Sequence, residues 1–344
     1  MVRASVWTRN PTQKPRCCSV HLLPTRSRVI RLVLVFLTAL TCVSSGAQSS
    51  PTIKVEVRLV RVPLSIADSS GAGAASLSRT DFTILDDGVP QDVRYLWRES
   101  DLPLTLGVVL DTSGTQLPHL IEHRETILRF LESVVRPHDQ VFLVTFDAQV
   151  RLAVDLTSSP AEIATLIGRF SRDADSHPDR FGTRLGPPCI GHQHAYGAPC
   201  GNSVIWNALF YSAQQLQRCQ GRKIMLLLTD GLDSGSNLSL DSAIREIVDA
   251  EGVVFAVGLS NPYNGKLNRR ALTRITHTTG GMALLDGGTL ESMLDRINQT
   301  VHSQVVLGYY PHGTSSDVRF HRLKVLAPSG FTVHAPSGYY TAPQ

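Results

Sequence analysis

The chain has 344 residues, 42% of them apolar and 18% charged, which is ordinary for one or two globular domains and excludes wholesale disorder. Its formal charge of +4 comes from residues 1–47, which hold seven basic residues and no acidic one; the remainder has 26 of the 33 Lys and Arg against all 29 Asp and Glu. The positive charge therefore belongs to the leader and gives no indication of nucleic-acid binding.

Residues 1–47 have the pattern of a secretion signal. Arginines precede an apolar run at residues 32–40, and small residues follow it up to Ala47, which fits the rule for signal cleavage. The run is too short to span a bilayer, which takes about 20 residues. We expect export to the periplasm, the cell surface or the medium, with no membrane span in the mature chain. Alternatives are an uncleaved anchor, a lipid on Cys42 and a translation start near Val29.

Residues 48–102 show the pattern of β-strands. Apolar and polar residues alternate from 52 to 66, the period of a half-buried strand. Shorter strands are predicted at 82–85 and 93–97, with the hairpin-turn sequence Asp-Asp-Gly at 86–88. So few strands do not make a stable sheet alone.

Residues 103–302 follow a different pattern, in which apolar runs alternate with helical spacings. Residues 104–110 form a continuous apolar run, typical of a strand buried on both faces. Apolar residues at helical spacing then predict one helix from 120 to 135, ended by Pro137. Further strands are predicted at 141–146, 150–156, 223–229, 253–259 and 282–285, and further helices at 160–170, 203–216, 240–250, 267–276 and 290–301. This alternation predicts an α/β domain with a doubly wound, mostly parallel sheet.

Residues 303–344 return to the β pattern. Strands are predicted at 305–310, 319–325 and 331–334, with a turn at 328–330. Because neither end of the chain holds enough strands for a sheet, we expect the two ends to pack together as a small β-sandwich into which the α/β domain is inserted.

Two aspartates follow buried strands of the predicted sheet. Asp111 comes directly after the apolar run at 104–110, and Asp230 directly after the strand at 223–229. Ligands of such sheets bind at the carboxyl ends of the strands. We therefore expect the two carboxylates to share one edge.

The residues around these aspartates resemble a known family. Asp-Thr-Ser-Gly-Thr at 111–115 is similar to the D-x-S-x-S motif of von Willebrand factor A (vWA) domains, Thr-Asp-Gly at 229–231 is similar to a later aspartate of that family, and Ser203 matches a loop between them. In vWA domains these residues form a metal-ion-dependent adhesion site, in which the first aspartate holds metal-bound water. The resemblance implies five residues of a divalent-metal site: Asp111, Ser113, Thr115, Ser203 and Asp230.

The flanks extend the resemblance to nearly the whole mature chain. Residues 81–88, 307–311 and 337–340 look like the vWA-related family of exported bacterial proteins. Two residues depart from the vWA pattern: Thr115 replaces a serine and Ser203 replaces a threonine. Both keep the hydroxyl oxygen, and threonine is the stiffer of the two side chains.

The resemblance implies a binding protein rather than an enzyme. The cation, Mg²⁺ or alternatively Mn²⁺ or Ca²⁺, would engage an exposed carboxylate of a protein or extracellular ligand, as in adhesion. Mg²⁺ prefers oxygen ligands and keeps several waters, and two carboxylates with three hydroxyls at one edge suit it. The sequence has no phosphate-binding loop and neither the H-E-x-x-H nor the G-x-S-x-G motif.

Two other interpretations remain open. The same serines and aspartates could be ordinary helix caps, which would leave a metal-free vWA domain that binds partners through its loops. A metal-assisted hydrolase would use the same aspartates and needs a general base, for which Asp233, His192 and His194 are the candidates.

Three cysteines lie beyond the leader. Cys189 and Cys200 flank a loop that contains two histidines, and an oxidising compartment favours a disulfide between them, worth about 3 kcal/mol in the chain-entropy model. A zinc site with His192 and His194, or free thiols, are the alternatives. Cys219 has no evident partner and is expected to be a buried or half-buried thiol.

Overall fold

The structure is a computed structural model that describes residues 59–68, 77–98, 101–169, 203–285, 288–312 and 319–341. The predicted leader, residues 1–47, lies outside the described residues. No helix in the described part of the chain has the length and apolar character needed to cross a membrane.

The first described strands come before the α/β region. They are β1 (Val60–Asp68), β2 (Thr83–Asp86), β3 (Val89–Gln91) and β4 (Val93–Arg98). The turn expected at residues 86–88 joins β2 to β3, and Asp87 and Gly88 adopt φ of 48° and 84° there. Positive φ at both central residues is what a tight two-residue hairpin requires.

The middle of the described chain alternates strands and helices. Its strands are β5 (Leu104–Asp111), β6 (Gln140–Phe146), β7 (Val150–Thr157), β8 (Arg222–Thr229), β9 (Gly252–Gly258) and β10 (Met282–Leu284). Its helices are α1 (Leu117–Glu122), α2 (Arg124–Val134), α3 (Pro160–Ile167), α4 (Ile205–Gln217), α5 (Leu240–Asp249), α6 (Arg269–Thr279) and α7 (Leu290–His302). The strands form one sheet in the order β10-β9-β8-β5-β6-β7, parallel except for the β6–β7 pair.

Helices cover both faces of this sheet. Every residue of β5 is buried, and its side chains alternate between two apolar cores. Val108 belongs to a core with α2, α3 and α7, whereas Val109 belongs to a core with α4, α5 and α6. The structure therefore confirms a mixed α/β fold with a largely parallel central sheet.

The single helix predicted from 120 to 135 is wrong, because the structure has two helices there. α1 and α2 are separated by His123, at φ −105° and ψ 11°. The His123 N–H still donates to the His119 carbonyl at 3.0 Å, and the Ile127 N–H donates to the His123 carbonyl at 3.1 Å. Because apolar side chains on both sides of the break face the same core, their spacing does not reveal it.

The last strands pair with the first ones. They are β11 (Gln304–Tyr309), β12 (Phe320–Leu326), β13 (Phe331–His334) and β14 (Gly338–Tyr340). One sheet has the order β13-β1-β11-β4 and the other β14-β12-β2-β3. Leu64 of β1, Ile84 of β2 and Leu307 of β11 belong to one apolar cluster shared by the two sheets. Strand pairing thus joins the two ends of the described chain.

Candidate metal centre

The carboxyl ends of β5 and β8 lie side by side. The two strands are parallel neighbours, with Leu110 opposite Leu228, so Asp111 lies beside Thr229 and Asp230 follows directly. Both aspartates are buried: Asp111 is 0% exposed and Asp230 is 4% exposed. The fold therefore brings two carboxylates to one edge of the central sheet and removes them from water.

Asp111 accepts hydrogen bonds from three segments of the chain. The Thr229 hydroxyl donates to Asp111 Oδ2 at 2.6 Å, and the Ser203 hydroxyl donates to the same oxygen at 3.5 Å. The Ser113 N–H donates to Asp111 Oδ1 at 3.1 Å. The carboxylate thus links the ends of β5 and β8 to Ser203, which lies two residues before α4.

Hydrogen bonds also fix the loop that follows β5. The N–H and the hydroxyl of Thr112 both donate to the Phe146 carbonyl, at 2.7 and 3.1 Å, which ties the loop to the end of β6. The Ser113 carbonyl accepts the Gln116 N–H at 2.9 Å and so turns the chain into α1. The hydroxyl oxygens of Ser113 and Thr115 are 3.3 Å apart, which makes them neighbours on this loop.

Asp230 is held from the side of α1. The Gln116 amide donates from Nε2 to Asp230 Oδ2 at 3.0 Å, and the Leu232 N–H donates to Oδ1 at 3.0 Å. The Asn261 side chain also hydrogen-bonds the carboxylate. Gly231 adopts a φ of 72°, and a Cβ there would come within 3.0 Å of a leucine side chain. Glycine therefore lets the chain turn sharply just after Asp230.

Burial disfavours the ionised form of both carboxyl groups. Desolvation raises the pKa of Asp111 to about 6; hydrogen bonds from Thr229 and Ser113 oppose the rise, and the charge of Asp230 adds to it. Burial likewise raises the pKa of Asp230, against a backbone hydrogen bond and one from Gln116. The hydrogen-bond donors to the two carboxylates in the described chain are all uncharged. A cation beside them would favour the ionised forms.

The donor set fits a hard divalent cation. The predicted ligands offer only carboxylate and hydroxyl oxygens, which are the ligands that Mg²⁺ prefers. Gln116 gives a second indication that a cation binds here, because its buried Oε1 has no hydrogen-bond partner among the described residues. Such an acceptor is costly to leave unpaired, and water carried by a bound cation can pair with it.

The structure brings the predicted site residues to one place. Asp111 bonds to Ser203, Ser113 bonds to Thr115, and the charge of Asp230 acts on Asp111. Asp233, a candidate general base of the hydrolase interpretation, accepts hydrogen bonds from the hydroxyl and the N–H of Ser236, which stabilise its own loop.

Sequence reasoning missed two residues of the site. Thr229 donates the shortest hydrogen bond to Asp111, and Gln116 holds Asp230. Thr229 directly precedes Asp230 at the end of a buried strand, and that position could have indicated its role. Nothing in the sequence distinguishes Gln116.

A second cluster that could hold a metal ion lies in the smaller sheets. Asp86, Asp87 and His321 each place a ligand atom within 4.8 Å of the others. However, Asp86 already accepts the hydroxyls of Tyr309 at 2.7 Å and Tyr339 at 2.9 Å. His321 Nδ1 lies 3.2 Å from Asp87 Oδ2. These contacts join β2 to β11, β12 and β14, so the cluster links the two sheets.

The described cysteine is not part of either cluster. Cys219 is a buried free thiol whose Sγ donates to the Gln215 carbonyl at 3.4 Å, which confirms the prediction made for it. The predicted disulfide between Cys189 and Cys200, with the two histidines between them, lies outside the described residues.

Solved structures that resemble this one include proteins of the vWA type. von Willebrand factor type A from Catenulispora acidiphila is 10% identical with a TM-score of 0.43, and the match covers 84% of this chain and 75% of that one. An aerotolerance-related membrane protein from Bacteroides fragilis is 16% identical with a TM-score of 0.42, over 58% of this chain and 98% of that one. The vWF domain of the type V pili tip protein Mfa5 from Porphyromonas gingivalis is 11% identical with a TM-score of 0.42, over 58% and 95%.

No family model matches the sequence, and no curated protein matches it. At 10 to 16% identity, the likenesses to solved structures concern the fold and not what any of those proteins binds.

Proposed function

We propose that this chain is an exported protein that binds a partner through a divalent cation at the edge formed by β5 and β8. Five side chains provide the site: Asp111, Ser113, Thr115, Ser203 and Asp230. The observation that carries the proposal is the Asp111 carboxylate, which is fully buried beside a second carboxylate and accepts hydrogen bonds only from uncharged donors in the described chain. Two buried acids without a cationic partner are costly unless a cation binds them.

Each residue has a separate task in this proposal. The hydroxyls of Ser113, Thr115 and Ser203 offer lone pairs without adding negative charge, so only the two carboxylates offset the charge of a bound divalent ion. Thr229 and Gln116 position the two carboxylates through the hydrogen bonds described above. When bound, the cation supplies a positive charge that an acidic group of a protein or extracellular ligand can meet. We propose Mg²⁺ as the ion, with Mn²⁺ and Ca²⁺ as alternatives of the same ligand preference.

The proposal includes a division of the chain. Residues 1–47 are a cleaved leader, residues 103–302 a vWA domain, and residues 48–102 and 303–344 together a β-sandwich. The pairing of β1 with β11 and the apolar cluster shared by the two smaller sheets support the sandwich. The charge and hydropathy pattern of the leader supports export.

Calorimetric titration of Mg²⁺ and Mn²⁺ into the purified protein tests the site. We expect one bound ion in the wild type, no binding in Asp111→Asn, and binding weakened about tenfold in Ser203→Ala, which removes one hydroxyl ligand. Asp155→Asn is the matched control, because Asp155 is an exposed aspartate on β7. Equal binding by the wild type and Asp111→Asn would show that any bound ion lies elsewhere.

A polyglutamate peptide tests the second part of the proposal. We expect the Mg²⁺-loaded protein to bind the peptide and EDTA to abolish the binding. Peptide binding that persists in EDTA would support the metal-free interpretation instead, in which loops alone recognise the partner.

A further inference from the structure

Two histidines and a glutamate cluster at the junction of α1 and α2. His119 and Glu122 lie in α1, and His123 is the residue between the two helices. Positions i, i+3 and i+4 share one face of a helix. The three side chains place their ligand atoms within 4.8 Å of one another, and the two imidazole rings are parallel to within 4° with centroids 6.5 Å apart. Two half-buried imidazoles and one exposed carboxylate thus lie close together at this junction.

One of these histidines is already oriented by the fold. His119 Nε2 lies 3.0 Å from the Ser260 carbonyl, in the loop that follows β9. A carbonyl only accepts, so Nε2 carries the hydrogen, and Nδ1 has the free lone pair of the neutral ring. Metal-binding histidines commonly donate their second ring nitrogen to a carbonyl or carboxylate in this way. The contact therefore fixes the ring before any ion arrives.

The backbone around the cluster is anchored to the core by its neighbours. Leu117 and Leu120 lie on either side of His119 in α1 and are 3% and 0% exposed. Both belong to the apolar core that the central sheet shares with α2, α3 and α7. The hydrogen bonds from the His123 N–H and to the His123 carbonyl continue across the helix break. In a tetrahedral zinc site with Zn–N bonds of about 2.0 Å, ligand atoms are about 3.3 Å apart, so small side-chain rotations close the remaining distance.

We propose that His119, Glu122 and His123 form a binding site for Zn²⁺ or a transition-metal ion of similar ligand preference. Imidazole nitrogen suits such ions and not Mg²⁺, which prefers oxygen. The site is therefore chemically distinct from the oxygen-only edge at Asp111. Three protein ligands leave a tetrahedral ion with a fourth position for water or for a donor from a partner.

The two proposed sites adjoin each other through the chain. Gln116, which holds Asp230, lies three residues before His119. Asn261, which also bonds Asp230, directly follows Ser260. An ion bound by the histidines would thus restrain both segments that hold the Asp230 carboxylate. The ligands of that ion do not include Asp230.

Zinc titration with 5 mM Mg²⁺ present throughout tests this site apart from the other one. We expect one Zn²⁺ per chain in the wild type and in Asp111→Asn, and a loss of affinity of about tenfold or more in His119→Ala/His123→Ala. His277→Ala, which removes an exposed histidine from α6, is the matched control and should bind like the wild type. Unchanged zinc binding in the double variant, or no zinc binding in the wild type, would overturn the proposal.

A measurement on the unaltered protein guards against a variant that fails to fold. Diethyl pyrocarbonate modifies accessible imidazoles, and mass spectrometry reports each histidine separately. Zn²⁺ is expected to slow modification of His119 and His123 and to leave His277 unchanged, whereas Mg²⁺ should slow none of them. Equal modification of His119 and His123 with and without Zn²⁺ would contradict the assignment.

Discussion

Asp111 should make the metal-free protein less stable as the pH rises. Its pKa is about 6 in the folded protein against an ordinary value of 3.8, so the folded state holds the proton more tightly than the unfolded state does. The stability that comes from protonated Asp111 is fully present below about pH 4 and is lost as the pH rises through about 6. Asparagine cannot ionise, so Asp111→Asn removes this loss.

The size of the effect follows from the shift and from the hydrogen bonds at the site. A shift of about two pKa units corresponds to about 3 kcal/mol between pH 4 and 7.5. The variant replaces one acceptor oxygen with an NH₂ donor that faces the Thr229 hydroxyl or the Ser113 N–H, which costs about 1 kcal/mol. We therefore expect metal-free Asp111→Asn to be about 2 kcal/mol more stable than the wild type at pH 7.5 and about 1 kcal/mol less stable at pH 4.

Urea unfolding in EDTA at the two pH values measures this difference. Titrating groups remote from Asp111 act on both proteins alike and cancel in the comparison; the neighbouring Asp230 does not, because its charge acts on Asp111. Asp155→Asn should follow the wild type at both pH values. Added Mg²⁺ at pH 7.5 should stabilise the wild type and not Asp111→Asn. A stability difference between variant and wild type that is the same at both pH values would refute the reasoning, since it would mean that Asp111 titrates alike in the folded and unfolded states.

Two further substitutions test the contacts that support the site and the sheets. Tyr309→Phe removes the hydroxyl that donates to buried Asp86 at 2.7 Å and should lower the free energy of unfolding by about 1–3 kcal/mol without changing Mg²⁺ affinity; an unchanged urea midpoint would contradict this. Gly231→Ala should cost about 1–2 kcal/mol from the left-handed φ alone, and more from its contact with Leu272. Gly265 has a φ of 67° with nothing within 4 Å of an added Cβ, so Gly265→Ala should show only the cost of the left-handed φ.

The long buried strands were predictable, whereas two of the shortest strands, β3 and β14, were not. All eight residues of β5 are buried, and the continuous apolar run at 104–110 predicts such a strand. β3 and β14 have three residues each, too few for an alternation to show, and they form because distant partners pair with them. The antiparallel direction of β7 beside β6 has no signature in the pattern either, since burial does not depend on strand direction.

The sequence predicted the part of the candidate site that lies at the ends of strands. Asp111 and Asp230 follow buried strands, and parallel strands bring such residues to one edge. The sequence did not indicate Gln116, because its role depends on how the loop turns into α1. Hydrophobic periodicity predicts helices and strands but not the conformation of a loop. The spacing of His119, Glu122 and His123 was visible in the sequence, but it acquires meaning only with the contact to Ser260, which lies 141 residues away from His119.

The pairing of the chain ends also sets the order of events during synthesis. The hydroxyl of Tyr309 bonds Asp86 across 223 residues of chain, and β1 has β11 and β13 as its strand neighbours. At about 5–20 residues per second, β1 therefore waits about 12–50 s before β11, the first strand that pairs with it, exists. The strands of the central sheet and its described helices are made within that time, since α7 ends at His302 and β11 begins at Gln304. Until β11 is made, the backbone N–H and C=O groups along the edges of β1 are unpaired and open to other chains.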